Sequence, residues 1–251
     1  MRITAFIPAR YQSSRFPGKP LAPIAGKPMI RHVYERASSC REIVQVFVAT
    51  DDERILQEVR AFGGRAVMTV KAHPSGSDRI AEAAMKVGLE DNDLIVNIQG
   101  DQPLFDPSCV EDLLRPFREE DPAVDMSTLM YRIRETGEVA DPNIVKVVTD
   151  TNGWALFFSR SAIPYYRDPV SEAVFFKHLG FYAHRLAFLK TFMGIRPGKL
   201  ETAEKLEQLR ALENGFRIKV VETLHDSIEI DTPGDIEKVE RLIAKGTSQI
   251  E

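Results

Sequence analysis

The sequence of 251 residues is poor in the features that mark secreted and membrane-spanning proteins. Its only cysteines, Cys40 and Cys109, form neither a metal-binding pair nor a disulfide framework, so we expect buried free thiols. No apolar run approaches the roughly 20 residues that span a membrane. The opening MRITAFIPAR reaches proline and arginine after a few apolar residues, which is atypical of a signal peptide. We therefore expect a cytoplasmic protein without membrane association.

Several common catalytic motifs are also missing. No GxGxxG follows the first apolar run, which argues against a dinucleotide site of that type. The segment Gly26-Lys27-Pro28 is similar to the end of a Walker A motif, but proline lacks the hydroxyl that holds Mg²⁺ there. The sequence contains no HExxH and no CxxC, and no nucleophilic triad is evident. The chemistry must therefore come from another arrangement of residues.

Charge is distributed unevenly along the chain. Residues 1–79 hold 13 Lys and Arg against 7 Asp and Glu, although the net charge of the whole chain is -4. A basic amino-terminal part favours an anionic ligand. The pI near 5.8 and the lack of interleaved aromatic and basic residues argue against nucleic acid. A compact polyphosphate fits this pattern better.

Apolar runs alternate with amphipathic segments over the first half, which predicts a doubly wound α/β fold. The predicted strands there are 3–7, 43–50, 65–69 and 93–99, and the predicted helices are 29–37, 53–63, 77–88 and 107–117. The second half is predicted to contain strands 126–133, 144–150, 154–160, 178–184, 217–223 and 227–230, a helix 201–215 and a last helix opening at Thr232-Pro233. We predict one domain over residues 1–251, with an antiparallel excursion near 125–185.

A stiff cationic loop follows the first predicted strand. It carries Arg10, Arg15 and Lys19 at spacings of four or five residues, and it contains no acid. Arginine binds phosphate through two parallel hydrogen bonds, lysine acts as a point charge, and Gly18 permits close approach of the backbone. The alternative is a solvated basic loop. The position at the carboxyl end of a strand favours a phosphate site, because ligands bind there in such sheets.

Two aspartates follow other predicted strands. Asp101 lies in QGDQP, and Asp231 lies in EIDTPGDIE. Together they suit Mg²⁺, which binds to one or two carboxylates and to substrate phosphates. An aspartate in a Gly-Asp turn is also common for conformational reasons alone, and Asp231 can simply precede a helix. The residues alone leave both readings open.

Three further segments have a structural and a functional reading. The hydroxyls of SGSDR (75–79) suit a ribose or base, but an ordinary helix N-cap is the stronger reading. His178 precedes a mixed strand and can face a polar site. Glu204, Glu207 and Gln208 lie on one predicted helix and can form its solvated face.

Eight motifs occur in an order that resembles one enzyme family. They are IPARYQSSRFPGKPLAPIAGKPMI, VATDDERI, SGSDRIAEA, VNIQGDQP, FSRSAIP, KHLGFYAH, LEQLRAL and EIDTPGDIE. Together they span nearly the whole chain and resemble the 3-deoxy-manno-octulosonate (KDO) cytidylyltransferases. The resemblance implies a nucleotide-diphosphosugar-transferase (GT-A-like) three-layer sandwich, with the excursion serving dimerisation, and a cytoplasmic homodimer that uses Mg²⁺.

The resemblance also implies a reaction and its site. CTP and the eight-carbon sugar acid KDO would give CMP-KDO and pyrophosphate, for lipopolysaccharide biosynthesis. The implied catalytic residues are Arg15, Lys19 and Asp101; the nucleotide-binding residues are Ala9, Arg10, Arg15, Lys19, Ser75, Gly76 and Arg79; the sugar-binding residues are Gln99, Arg160, His178, Tyr182, Glu207 and Gln208; and the metal ligands are Asp101 and Asp231.

Three alternatives remain at this point. The acceptor can be 8-amino-KDO or another nonulosonic acid, or the chain can be a non-catalytic nucleotide-binding module built on this fold. Retention of Asp101, Asp231, Arg15 and Lys19 argues against the non-catalytic module, because a degenerate member should lose its metal ligands first.

Overall fold

The computed structural model describes residues 1–12, 16–70, 73, 75–118, 124–168 and 173–246. The strands are β1 (Ile3–Ala9), β2 (Pro23–Ile24), β3 (Lys27–Pro28), β4 (Gln45–Thr50), β5 (Ala66–Met68), β6 (Leu94–Asn97), β7 (Met126–Arg132), β8 (Lys146–Thr149), β9 (Ala155–Ser159), β10 (Phe176–Arg185) and β11 (Ile218–Glu222). The helices are α1 (Met29–Ser39), α2 (Glu53–Ala61), α3 (Gly76–Lys86), α4 (Ser108–Arg118), α5 (Thr136–Ala140), α6 (Leu186–Met193), α7 (Lys199–Glu204), α8 (Leu209–Glu213) and α9 (Pro233–Ala244), with a 3₁₀ turn at Lys19–Leu21.

In the described part of the chain, nine strands form one mixed sheet with the main order β11-β7-β10-β6-β1-β4-β5. β1 pairs in parallel with β4 and β6, and β4 pairs in parallel with β5. β10 runs antiparallel to both of its neighbours, β6 and β7. β8 pairs antiparallel with β9 and with β10, so antiparallel pairs lie within the predicted excursion near 125–185.

Both faces of the sheet are covered by helices. Ala5 and Ile7 of β1 pack in one apolar cluster with side chains of α1, α2 and α4. Phe6, between them, points to the other face and packs in a cluster with α3 and α6. Successive side chains of a strand alternate between faces, so burial of all three requires a helix layer on each side. This three-layer arrangement confirms the predicted α/β sandwich.

The loops that matter lie at one edge of the sheet. β1, β4 and β6 are parallel, so their carboxyl ends share that edge. β10 runs the other way, with Tyr182 opposite Asn97, so its earlier residues extend past the carboxyl end of β6 to the same edge. The loop after β6 lies tightly against β1, because a Cβ on Gly100 would be 3.1 Å from the carbonyl oxygen of Pro8. Glycine at this position lets the two loops approach.

Some predicted elements were wrong. The helix predicted over 201–215 is divided into α7 and α8, and between them Lys205 adopts a positive φ of 55°. The strand predicted over 227–230 does not form, and its segment is irregular. Both cysteines are free and buried, as predicted. No helix in the described ranges is long and apolar enough to cross a membrane.

Candidate active site at the carboxyl edge of the sheet

The ammonium of Lys19 joins three segments that are far apart in the chain. Its Nζ donates to Asp101 Oδ2 at 2.6 Å and to the carbonyl oxygen of Ile230 at 2.9 Å, and it lies 3.8 Å from Asp231 Oδ1. The side chains of Lys19 and Asp101 are 17% and 26% exposed, so the pair remains partly open to a ligand. The two aspartates predicted as metal ligands therefore face the same cation.

Local backbone contacts place Asp231 in this cluster. The Oδ2 of Asp235, in the first turn of α9, accepts hydrogen bonds from the backbone N–H of Asp231 at 3.1 Å and of Thr232 at 2.7 Å. The backbone N–H of Ile230 donates to the carbonyl oxygen of Asp101 at 2.9 Å. The cap of α9 and the hydrogen bond between Ile230 and Asp101 thus place the chain beyond β11 next to the loop after β6.

Glu229 adds a third carboxyl group beside the two aspartates. Burial, together with the negative charges of Asp101 and Asp231, raises the pKa of Glu229 to about 7. Its Oε1 accepts a hydrogen bond from Gln102 Nε2 at 3.0 Å, and Gln102 itself is fully buried. The cluster therefore concentrates more negative charge than the single ammonium of Lys19 neutralises, which favours a cation.

The chemistry of this cluster fits a hard divalent cation whose shell is completed by a substrate. Across the described ranges, no group of three or more His, Cys, Asp and Glu side chains could hold a metal ion unaided. Mg²⁺ characteristically binds to one or two carboxylates and takes its other ligands from phosphates and water. Asp101 and Asp231 match that pattern, and the ammonium of Lys19 lies between their two carboxylates.

The cationic loop closes on itself near its end. The N–H of Gly18 donates to the carbonyl oxygen of Tyr11 at 2.8 Å, and Gly18 has a φ of 75°. A Cβ on Gly18 would lie 3.2 Å from the ring of Tyr11, so glycine here accommodates the turn and the ring. Arg10 is exposed at the start of the loop, whereas Arg15 lies outside the described residues.

Arg79 is a fully buried cation of α3 that lies at the carboxyl ends of β4 and β5. Its Nη2 lies 3.2 Å from Asp51 Oδ2, and its Nη1 donates to Thr69 Oγ1 at 2.5 Å. Burial lowers the pKa of Arg79; Asp51 opposes this effect, and the nearby positive charge of Arg10 adds to it. Arg10 and Arg79 therefore lie close together, beside buried Ala9 at the end of β1.

The start of α3 lies next to these residues. Ser75 is the N-cap: its Oγ accepts from the N–H of Asp78 at 3.2 Å and donates to Asp78 Oδ2 at 2.7 Å. A Cβ on Gly76 would touch the Pro8 ring at 3.6 Å, so the helix begins against the end of β1. The N-cap reading is thus confirmed, and the same position leaves the helix N-terminus beside Ala9 and Arg10, where a nucleotide is expected.

A narrow pocket lies on the α3 side of the sheet. It is lined by Ser77, Met126, Tyr182, His184, Phe188, Leu189, Phe192, Glu207 and Gln208. Ser77 Oγ donates to Glu207 Oε2 at 3.1 Å, and burial raises the pKa of Glu207. Gln208 is 5% exposed, so Glu207 and Gln208 line a pocket instead of forming a solvated helix face.

Tyr182 connects this pocket to the carboxylate cluster. Burial raises the pKa of Tyr182 well above its usual range, and the nearby charges of Glu207 and Glu229 raise it further. At neutral pH its hydroxyl therefore stays protonated and can donate a hydrogen bond. The ring of His178 lies 5.4 Å from that of Tyr182, which brings a second predicted sugar-binding residue to the same place.

The protonation of His178 follows from its partner. Thr128 Oγ1 lies 2.9 Å from His178 Nε2 and donates its single proton to the carbonyl oxygen of Phe181 at 2.7 Å. Thr128 must then accept from Nε2–H, which leaves Nδ1 as the acceptor. Burial lowers the pKa of His178 to about 3, so the ring is neutral near pH 7.

Gln99 and Arg160 occupy different surroundings. Gln99 Nε2 donates to the carbonyl oxygen of Gly180 at 3.1 Å, close to the bulge in β10. Arg160 is not among the residues that line the pocket of Tyr182 and Glu207. It is tied to Glu204 by N–H to Oε2 at 3.0 Å and by Nε to the carbonyl oxygen at 2.7 Å, just ahead of the break at Lys205.

Sequence reasoning missed several members of this arrangement. Asp51 was not among the predicted site residues, but Asp52 caps α2 and leaves Asp51 to pair with Arg79. A second aspartate at the carboxyl end of β4 was the available signal. Glu229 precedes Asp231 by two residues, but its place in the cluster depends on the path of an irregular segment, because the alternation of SIEID predicted a strand there.

The chain is similar to known cytidylyltransferases over most of its length. The family model described as cytidylyltransferase matches residues 4–223. A 3-deoxy-manno-octulosonate cytidylyltransferase of Syntrophus aciditrophicus (strain SB) is 53% identical over 96% of this chain and 97% of that protein. An 8-amino-3,8-dideoxy-manno-octulosonate cytidylyltransferase of Shewanella sp. (strain W3-18-1) is 52% identical over 98% of this chain and 100% of that protein.

Solved structures agree with this similarity. A structure described as CMP:2-keto-3-deoxy-manno-octonic acid synthetase complexed with CTP is 45% identical, with a TM-score of 0.91, and covers 98% of this chain and 100% of that one. A 4-diphosphocytidyl-2C-methyl-D-erythritol synthase shares 12% identity at a TM-score of 0.65, over 96% of this chain and 98% of that one. The latter shows likeness of fold alone.

Proposed function

The chain belongs to the octulosonate cytidylyltransferase family, and from that premise we propose that it transfers CMP from CTP to the anomeric hydroxyl of KDO. The products are CMP-KDO and pyrophosphate, and the activated sugar serves lipopolysaccharide biosynthesis in the cytoplasm. The observation that carries the proposal is the convergence of Asp101 and Asp231 on Lys19 at the carboxyl edge of the sheet.

In this proposal the triphosphate binds between the cationic loop and the start of α3. Arg10, Arg15 and Lys19 neutralise phosphate oxygens, and Ser75 and Gly76 offer backbone N–H groups at the helix N-terminus. Arg79 supports this end of the site from behind, held by Asp51 and Thr69. Support comes from the proximity of Arg10 to Arg79 and of Gly76 to Pro8.

Phosphoryl transfer of this kind depends on positioning and charge neutralisation. The anomeric hydroxyl loses its proton to water, and its oxygen forms a bond to the α-phosphorus in line as the bond to pyrophosphate breaks; no protein nucleophile takes part. Lys19 stabilises the negative charge that builds on the leaving pyrophosphate. The proposal assigns the divalent ion as Mg²⁺, with Asp101 and Asp231 as its protein ligands; it would supply charge neutralisation at the phosphates.

The sugar acid is proposed to bind beside Tyr182, Glu207 and Gln208. Tyr182 stays protonated and can donate, whereas the Nδ1 of His178 can accept, so the two rings offer complementary groups to sugar hydroxyls. Arg160 offers a planar cation to the carboxylate of the acid, because guanidinium and carboxylate match in geometry. Gln99, whose Nε2 donates to the carbonyl oxygen of Gly180, is the remaining proposed sugar-binding residue.

The test is pyrophosphate release with CTP and Mg²⁺ against KDO, 8-amino-KDO and sialic acid in parallel. We expect release with KDO and none with sialic acid. A strong preference for 8-amino-KDO would replace the acceptor and keep the reaction, which matters because relatives of both kinds are similar to this chain. Absence of release with every acceptor would refute the enzymatic proposal.

Two lysines of the same region provide a matched pair of variants. Lys19→Met removes the ammonium between the aspartates, and we expect kcat/KM to fall by roughly 10²–10³-fold. Lys27→Met removes a lysine that is 44% exposed and pairs with Glu35, so activity should stay near the wild-type value. Equal loss in both variants would show that the region, and not Lys19, is responsible.

We also propose that the protein is a homodimer. Support comes from exposed apolar side chains near the antiparallel excursion, where Leu156 is 62% and Tyr165 is 87% exposed. Such surfaces commonly mark protein interfaces. Light scattering coupled to size exclusion tests this, and a monomeric mass at assay concentration would contradict it.

A further inference from the structure

Lys146, at the start of β8, is a fully buried lysine with carbonyl partners. Its Nζ donates to the carbonyl oxygens of Asp141 at 2.8 Å and of Ile144 at 2.5 Å. Burial lowers the pKa of Lys146; the negative charges of Asp141 and Glu204 oppose this effect, and the positive charge of Arg160 adds to it. A buried ammonium is costly, and the hydrogen-bond partners that the described residues give Lys146 are these two carbonyl oxygens. Its position therefore needs an explanation.

The turn that Lys146 holds also holds Arg160. The carbonyl oxygen of Pro142, between Asp141 and Ile144, accepts a hydrogen bond from Arg160 Nη1 at 2.8 Å. On the opposite side of the guanidinium, Arg160 Nε donates to the carbonyl oxygen of Glu204. Because guanidinium is a rigid planar fork, contacts at Nε and Nη1 determine its orientation. Within the described part of the chain, these hydrogen bonds involve Nε and Nη1 of Arg160, so Nη2 can bind a ligand.

The same segment reaches a second residue of the proposed sugar site. The carbonyl oxygen of Val145, next to Lys146, accepts a hydrogen bond from the N–H of His178 at 2.8 Å. Residues 141–146 thus contact the side chain of Arg160 at one end and the backbone of His178 at the other. A displacement of this segment would change the distance between the two.

We propose that Lys146 is a positioning residue for the sugar acid: its ammonium holds the 141–144 turn and, through the carbonyl oxygen of Pro142, aims Arg160 at the carboxylate of the acceptor. The inference rests on the proposed function for the identity of the acceptor. Lys146 itself does not contact the substrate, so its removal should weaken sugar-acid binding and leave CTP binding unchanged.

The test compares Lys146→Met with the wild type in the intact protein. Calorimetry of KDO binding and the KM for KDO should each change by about tenfold, the effect of one charged hydrogen bond, with the KM for CTP unaltered. Lys177→Met is the control. Lys177 is 7% exposed on the neighbouring strand and pairs with Glu138 and Asp226, so its loss costs stability without touching the Arg160 contacts.

A double-mutant cycle separates positioning from general loosening. In an Arg160→Lys background, Lys146→Met should have little further effect on KDO affinity, because both changes act on the same contact. Full additivity, or an equal loss of affinity in Lys177→Met, would overturn the proposal. If Lys146→Met does not fold, Lys146→Gln, which keeps donors but is shorter and uncharged, should lose KDO affinity in the same direction by a smaller factor; an unchanged affinity would then overturn the proposal. Binding calorimetry needs no turnover, so a wild type that binds KDO without releasing pyrophosphate contradicts the proposed function and still tests this inference.

Discussion

Replacing Asp101 with asparagine should separate catalysis from folding. Asparagine preserves the size of the side chain and can still accept a hydrogen bond from Lys19, but it removes the negative charge. The Lys19–Asp101 pair is 17% and 26% exposed, and partly exposed ion pairs stabilise proteins by about 1 kcal/mol or less. For a chain of this size that corresponds to a change in Tm of at most about 4 °C.

The effect of Asp101→Asn on activity should be much larger. Loss of one preorganised charge at a phosphoryl-transfer site typically costs roughly 10²–10³-fold in kcat, and we expect at least that for pyrophosphate release with saturating CTP and KDO. A higher Mg²⁺ concentration should restore part of the activity if Asp101 is a metal ligand, because weakened binding is offset by mass action.

A control variant tests whether any lost ion pair produces the same result. Asp91 and Lys190 form a pair at the same distance of 2.6 Å, but outside the site and with exposed fractions of 65% and 43%. Asp91→Asn should match Asp101→Asn in Tm while keeping full activity. Near-normal kcat for Asp101→Asn, or inactivity that accompanies a collapse in Tm, would refute the assignment of Asp101 to the catalytic cluster.

Three further predictions follow from burial and capping. Burial lowers the pKa of His184 from 6.5 to about 4 and that of His178 to about 3, so the unfolded chain binds both protons first as pH falls. In urea unfolding, the share of His184 in the stability lost between pH 6.5 and 4 should be up to about 3 kcal/mol, and His184→Phe should remove that share and leave the share of His178. Asp235→Ala should cost about 1 kcal/mol and raise the Mg²⁺ requirement, measured by calorimetric unfolding and titration, since Asp235 holds Asp231. Thiol reagents should label Cys40 and Cys109 only after unfolding, because burial raises both pKa values to about 12; rapid native labelling would contradict this.

The central strands could be predicted from sequence because their burial is nearly complete. Leu94 to Asn97 are all buried, and a continuous apolar run is what a strand covered on both faces requires. The position of Asp101 in the loop after β6 followed from the same argument, since parallel strands deliver their following loops to one edge, whereas the strand predicted just before Asp231 does not form. Those predictions depended only on periodicity and on a general property of such sheets.

The break between α7 and α8 could not be predicted in this way. The segment 201–215 contains good helix formers, yet Lys205 adopts a left-handed conformation that costs about 1 kcal/mol or more in a residue other than glycine. The compensation is tertiary: the break lets Leu206 and Leu209 enter the core while Glu207 reaches Ser77. Local propensity holds no information about that exchange.

Partners of buried charges were also beyond sequence reasoning. Arg79 was predicted as a nucleotide ligand, but its ion pair with Asp51 depends on the spacing of α3 and β4. Lys146 lies in the run IVKVV, and nothing in that run predicts that its ammonium donates hydrogen bonds to carbonyl oxygens of the preceding turn. Such contacts are set by packing across elements and become visible only in three dimensions.

The antiparallel strand β10 also has a consequence for synthesis of the chain on the ribosome. It lies between β6 and β7, and it pairs residues near 97 with residues near 182. Until β10 has emerged, β6 is an edge strand whose four residues are apolar or amide-bearing and whose backbone groups on one side are unpaired. A nascent amino-terminal half therefore exposes an unpaired strand edge that β10 covers later. Truncation before residue 176 should yield a chain that aggregates when produced at high concentration.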